Sequence, residues 1–159
     1  MSPLLRDILR HPSGRIGATI VTVFLVAAIL AELGLTPYDP LGQDRLARLK
    51  GPSAAHVFGT DLFGRDVLSR LMTGISQSFT VSFLSVGAAT LAGTILGLTA
   101  AWFGTLWDGL VMRLMDVLLA FPAILLALLI IAIAGPGGGT SILAIAIVYT
   151  PIFTRVVRG

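Results

Sequence analysis

Residues 16–33 read IGATIVTVFLVAAILAEL, and no charge interrupts the run before Glu32. As a helix rising about 1.5 Å per residue, Ile16 to Leu33 reaches about 27 Å, close to the hydrocarbon thickness of a bilayer. Arg6, Arg10 and Arg15 precede the run, so a cleaved signal peptide is the rival reading. The run exceeds the apolar core of about 7–15 residues in such signals, and no clear small-x-small cleavage site follows it. The sequence therefore predicts an uncleaved membrane span.

Composition extends this reading to the rest of the chain. Of the 159 residues, 55% are hydrophobic and only 12% are charged. The mean hydropathy is +0.94. A soluble domain carries about a quarter of its residues as charges. A short soluble chain could not hide so much apolar surface, because small domains bury a limited share of what they expose. Lipid is then the solvent for much of this chain. The net charge is +3, from 11 Lys and Arg against 8 Asp and Glu. The basic residues sit at segment ends, which reads as topology signals beside spans and not as a nucleic-acid surface. Cysteine is absent, which excludes disulfides, thiolate metal sites and cysteine nucleophiles.

Three more apolar segments follow. The second span is expected over residues 76–103, long enough to begin as an interfacial helix or to cross at a tilt. It carries small residues at every fourth position: Ser85, Ala89, Gly93, Gly97 and Ala101. Such a row lets helix backbones approach closely in lipid, and Gly93 to Gly97 is itself a G-x-x-x-G. The row suits either a subunit interface or packing within the chain, and packing within the chain is the simpler expectation. The third span is expected over residues 110–134, after a turn at 104–109 flanked by the aromatic anchors Trp102, Phe103 and Trp107. Pro122 falls inside it and should kink the helix or mark a packing junction. A turn at 135–140, rich in glycine, leads to a fourth span over 141–157, and 158–159 begin a further cytoplasmic segment.

The basic residues suggest an orientation. With the arm of residues 1–15 cytoplasmic, four crossings return the C-terminus to the cytoplasm, where Arg155 and Arg158 then lie. Residues 34–75 are external, despite Arg45, Arg48, Lys50, Arg65 and Arg70. This segment holds Pro37-Tyr38-Asp39-Pro40, a turn signal, and the dense run Gly59-Thr60-Asp61 with Gly64-Arg65-Asp66. The glycines permit turns, and Asp61, Arg65 and Asp66 can bond one another or free backbone groups. A carboxylate of this segment is placed to cap the helix that begins near Asp66. These six residues, Gly59, Thr60, Asp61, Gly64, Arg65 and Asp66, form either an ordered element beside the membrane or a docking surface.

Ionisable groups inside a membrane are functional candidates by default. The clearest pair is Arg113 with Asp116, which share a helix face and are expected to form a structural ion pair. His11 and His56 stand isolated on opposite sides, so no shared metal site is expected. The serines Ser76, Ser78, Ser82 and Ser85 are expected to bond backbone carbonyls. No nucleophile, base and orienting group line up, and the glycines of 135–139 lack the G-K-[ST] of a phosphate loop. Neither a catalytic site nor a cofactor is expected in this chain.

The ordered series of motifs resembles a known family. Pro37-Tyr38-Asp39-Pro40, His56-Val57-Phe58-Gly59-Thr60-Asp61 and Gly64-Arg65-Asp66-Val67-Leu68-Ser69-Arg70-Leu71 are similar to the C-type inner-membrane permease subunits of dipeptide, oligopeptide and nickel ABC importers. The likeness continues through Trp107-Asp108, Met112-Arg113, Asp116 and Phe121-Pro122 to residues 155–159. It implies an all-α integral membrane protein with four transmembrane helices of a type I ABC importer permease-like bundle, in a bacterial or archaeal cytoplasmic membrane. It implies a second homologous permease, two ATPase subunits that bind ATP, and an external solute-binding protein as partners. Members of that family continue past the equivalent of Gly159 into a cytoplasmic coupling loop and two further spans. The chain is therefore expected to be a truncated product, the product of a split gene or a fragment of a longer chain, with a naturally short protein left open. A self-assembling membrane scaffold or small channel is the alternative.

Overall fold

The computed structural model describes residues 11–159, so Arg6 and Arg10 of the N-terminal arm lie outside the described residues. Every regular element among these residues is helical: α1 Pro12–Glu32, a short 3-10 turn Arg45–Ala47, α2 Val67–Phe103, α3 Thr105–Ala120, α4 Ala123–Ala134 and α5 Gly138–Arg158. The chain divides into two compact units, with the boundary inside α2 after Phe79.

In the first unit, α1 contains the apolar run that opened the sequence. Pro12 sits in its first turn, where its missing N–H costs no hydrogen bond. The helix ends in a Schellman pair of bonds, from Leu35 N–H to the Leu30 carbonyl at 2.8 Å and from Gly34 N–H to the Ala31 carbonyl at 3.0 Å. Most of its apolar side chains are exposed, as a helix solvated by lipid requires. Its last residue, Glu32, accepts a hydrogen bond from the Ser76 hydroxyl of α2 at 2.8 Å. Ser76 thus bonds a carboxylate, not the backbone carbonyl expected from sequence.

In the second unit, α5 packs against both α3 and α4. Ala100 of α2 meets Val111 and Met115 of α3 in a small apolar core, flanked by Leu96, Met112 and Leu118. The stretch expected as one kinked span is two helices, α3 and α4, bent by 95°. Phe121 and Pro122 are both extended at the break. Proline disfavours the α conformation in the residue before it, and its own nitrogen has no hydrogen to continue the ladder. The break is therefore larger than a kink. The turn placed at 104–109 shrinks likewise, since α3 begins at Thr105 and only Gly104 separates it from α2.

Among the described residues, three helices are long and apolar enough to cross a bilayer, and the bent pair α3–α4 supplies a fourth if it makes one crossing. The protein is an all-helical, multi-pass membrane protein.

Candidate functional site

The segment between α1 and α2 is held by hydrogen bonds, not by a core. Thr60 is its buried centre. Its hydroxyl donates to the Ala47 carbonyl and accepts from Lys50 N–H at 3.0 Å, and its own N–H donates to the Lys50 carbonyl at 3.0 Å. The chain near 48–50 thus lies beside 60–62, and Leu49 N–H donates to the Asp61 carbonyl. Two glycines make this approach possible. A Cβ on Gly64, at φ +76°, would come within 1.8 Å of the Asp44 carbonyl oxygen. One on Gly59, at φ +73°, would come within 2.5 Å of the Lys50 oxygen. No other residue type fits either position without moving backbone.

Two aspartates organise the rest. Asp61 accepts from the N–H groups of Phe63 and Arg65, at 2.8 and 3.0 Å, which closes the Gly64 turn. The same carboxylate holds Arg65 Nε at 2.8 Å and Arg70 Nη1 at 2.5 Å. Partial desolvation pushes the Asp61 carboxyl up, but the Arg65 and Phe63 N–H groups and the Arg65 guanidinium outweigh it and hold it at about 2. The Arg65 guanidinium also lies 4.6 Å from the Phe63 ring centre.

Asp66 is 3% exposed and caps α2. Its carboxylate accepts from Ser69 N–H and from the Ser69 hydroxyl, both at 2.8 Å. The Ser69 oxygen in turn accepts from Tyr38 N–H at 3.0 Å. On the other carboxylate oxygen sits His56 Nδ1, at 2.9 Å. Burial pushes the Asp66 carboxyl up, but the Ser69 N–H, His56 and the Ser69 hydroxyl leave it below the usual carboxylate value. His56 is therefore not isolated, as its place in the sequence suggested. It also packs on Tyr38, with ring centres 4.7 Å apart, while the Tyr38 hydroxyl donates to the Ala55 carbonyl at 2.8 Å. In the sequence His56, Ser69 and Tyr38 lie in separate motifs with no joint role. Only the fold brings them to one carboxylate.

The small row of α2 is the second candidate. Ser85, Ala89, Gly93 and Gly97 are all buried, but Ala101 is exposed and its neighbour Ala100 is buried instead. Every fourth residue drifts about 40° around a helix, so Ala101 lies about 160° from Ser85 and leaves the packed arc. Gly93 and Gly97 lie against α5 of the same chain. A Cβ on Gly93 would come 2.5 Å from Phe153 Cβ, and one on Gly97 would come 2.8 Å from the Thr154 carbonyl. The Ser85 hydroxyl is buried with no hydrogen-bond partner among the described residues, neither carbonyl nor side chain.

The expected Arg113–Asp116 pair does not form. Asp116 bonds Arg155 of α5 instead. Nearby, Asp108 accepts from Nε and Nη2 of Arg158, at 2.9 and 2.6 Å. Packing of α5 on α3 delivers two arginines to two α3 carboxylates, and the forked guanidinium takes Asp108 with both nitrogens. Pro122 stands at the α3–α4 break. Among the described residues no three His, Cys, Asp or Glu side chains converge as metal ligands.

Comparison with known proteins adds to this geometry. Residues 93–159 match a family described as binding-protein-dependent transport system inner membrane component. The chain is 47% identical, over 91% of its length, to a dipeptide transport system permease protein of Alkalihalophilus pseudofirmus, covering 47% of that relative. It is 37% identical over 89% of its length to a probable D,D-dipeptide transport system permease protein of Escherichia coli, covering 48% of it. It is 39% identical over 91% of its length to a glutathione transport system permease protein of Pectobacterium atrosepticum, again covering 48%. The chain spans about half the length of the curated relatives it matches.

Proposed function

We propose, on the premise that this chain is a relative of the inner-membrane permease subunits of peptide importers, that it forms part of the translocation path of such an importer. The observation that carries the reading is identity of 47% over 91% of the chain, which takes in both the connecting segment and the packed helices. The relatives named above carry dipeptide, D,D-dipeptide and glutathione in their names, which favours a peptide-type solute over a nickel chelate. The permease does no covalent chemistry. Alternating access is driven by ATP bound on partner ATPase subunits, and an external solute-binding protein delivers the solute.

In this reading the N-terminus is cytoplasmic and the segment ordered by Asp61 and Asp66 is external. Its bonds make a firm platform beside the membrane, suited to docking the solute-binding protein. The helices of the second unit supply one wall of the path, and a second homologous permease supplies the other. Affinity isolation of the tagged chain from its own membranes tests the proposal. A second permease and two ATPase subunits should co-purify. Recovery of a homo-oligomer alone would overturn the importer reading and favour a scaffold or small channel.

A further inference from the structure

Within the first unit, an open groove of about 430 Å³ runs between α1 and the start of α2. Phe24 of α1 lines it together with Leu71, Gly74, Ile75 and Phe79 of α2, and Arg70 stands among the lining residues. Apart from Arg70 and Ser78 the walls are apolar, and Phe24 and Leu71 are 46% and 48% exposed. The space beside Gly74 is open, since a Cβ there would meet no atom within 4 Å.

The depth of the groove follows from the Glu32–Ser76 bond, which sets the end of α1 level with Ser76. Arg70 lies about 9 Å further along α2, beyond the end of the α1 span, where headgroups begin. Phe24 lies about 12 Å from Glu32 in the opposite direction, at acyl-chain depth. Asp61 is shared between Arg65 and Arg70, so one carboxylate faces two guanidinium groups and the trio keeps a net positive charge. Arg70 uses Nη1 on Asp61, which leaves further N–H donors for an anion.

We propose that this groove holds an anionic phospholipid, with one acyl chain along Phe24, Leu71, Gly74 and Ile75 and its phosphate on Arg70. An apolar channel at membrane depth, ending in a cation at headgroup depth, matches both parts of that molecule. The inference rests only on the membrane-spanning character of the chain. It stands or falls separately from the transport reading.

Native mass spectrometry of the purified complex, with phosphatidylglycerol or phosphatidylcholine of identical acyl chains, tests it. The wild type should retain phosphatidylglycerol about tenfold more strongly, as expected for an anion held by a guanidinium at about 1.4 kcal/mol per tenfold. Arg70→Gln should abolish that preference. Gly74→Leu, which fills the groove without a backbone clash, should reduce retention of both lipids. Arg65→Gln, which removes a charge on the same Asp61 away from the groove, should weaken the preference less than Arg70→Gln does, because the Arg70 guanidinium that meets the phosphate is still present. Equal retention of the two lipids by the wild type, or equal loss in Arg65→Gln and Arg70→Gln, would overturn the proposal. A photoreactive phosphatidylglycerol, applied to the unaltered protein, should label residues 70–79. Labelling confined to other segments would also overturn it, as would a groove found occupied by a protein segment of the complex.

Discussion

Asp66 shows how much one carboxylate can organise at the head of a helix. It satisfies the Ser69 N–H of the first turn of α2, orients His56, and reaches Tyr38 through the Ser69 hydroxyl. Asp66→Ala removes the cap and leaves buried donors unmatched, which should cost about 2 kcal/mol. A lowered thermal midpoint and new protease cuts between residues 48 and 66 would report it, with Asp66→Asn less affected because it keeps an acceptor. Asp61 yields a pH prediction. Its folded value of about 2 lies below that of an unfolded aspartate, about 3.9, so its contribution is complete above the unfolded value. It is lost as pH falls toward 2. Pepsin should therefore spare the connecting segment at pH 4.5 and cut it near pH 2. Asp61→Asn should be cut at both.

At the scale of elements, the contact of α2 with α5 depends on hydrogen atoms in place of side chains. Gly97→Leu forces bulk against the Thr154 carbonyl and Val157, where backbone would have to move. The expected loss is about 3 kcal/mol, read as a drop in thermal midpoint in detergent. Gly87→Leu on the same helix is the control, since a Cβ there meets nothing within 4 Å and should leave the midpoint unchanged. The bend between α3 and α4 is also an element-scale feature. Neither helix alone spans the hydrocarbon: α3 is 16 residues and α4 is 12, or about 24 and 18 Å. Pro151 lies buried inside α5, which continues through it to Arg158. Thr150 and Thr154 send their hydroxyls back to the Ala146 and Thr150 carbonyls at 2.8 and 2.9 Å, which satisfies polar groups that lipid could not.

For the whole molecule the decisive property is its orientation in the bilayer. The chain lacks cysteine, so single cysteines can be placed without background. Lys50→Cys should react with a membrane-impermeant maleimide from outside the cytoplasmic membrane. Leu106→Cys, 93% exposed at the start of α3, should react only after the membrane is opened. The reverse pattern would invert the proposed topology and place the Asp61 and Asp66 platform in the cytoplasm.

The sequence by itself determined the membrane class and the helical character, because those follow from local hydropathy and from the length of a helix across lipid. It also pointed to a carboxylate cap near Asp66 and to Gly59 and Gly64 as turn residues, since caps and turns are written in neighbouring residues. Only the tertiary structure decided which partners distant residues take. Asp116 lies one turn from Arg113, yet it bonds Arg155, which is far away in the chain and brought close by the packing of α5 on α3. His56 looked solitary until the connecting segment folded back on Asp66. Ala101 left the small face because a straight helix carries every fourth residue steadily around its axis. Pro122 marked an interruption in the sequence, but its size, a 95° break between two separate helices with Phe121 and Pro122 both outside the helical conformation, was seen only in the structure.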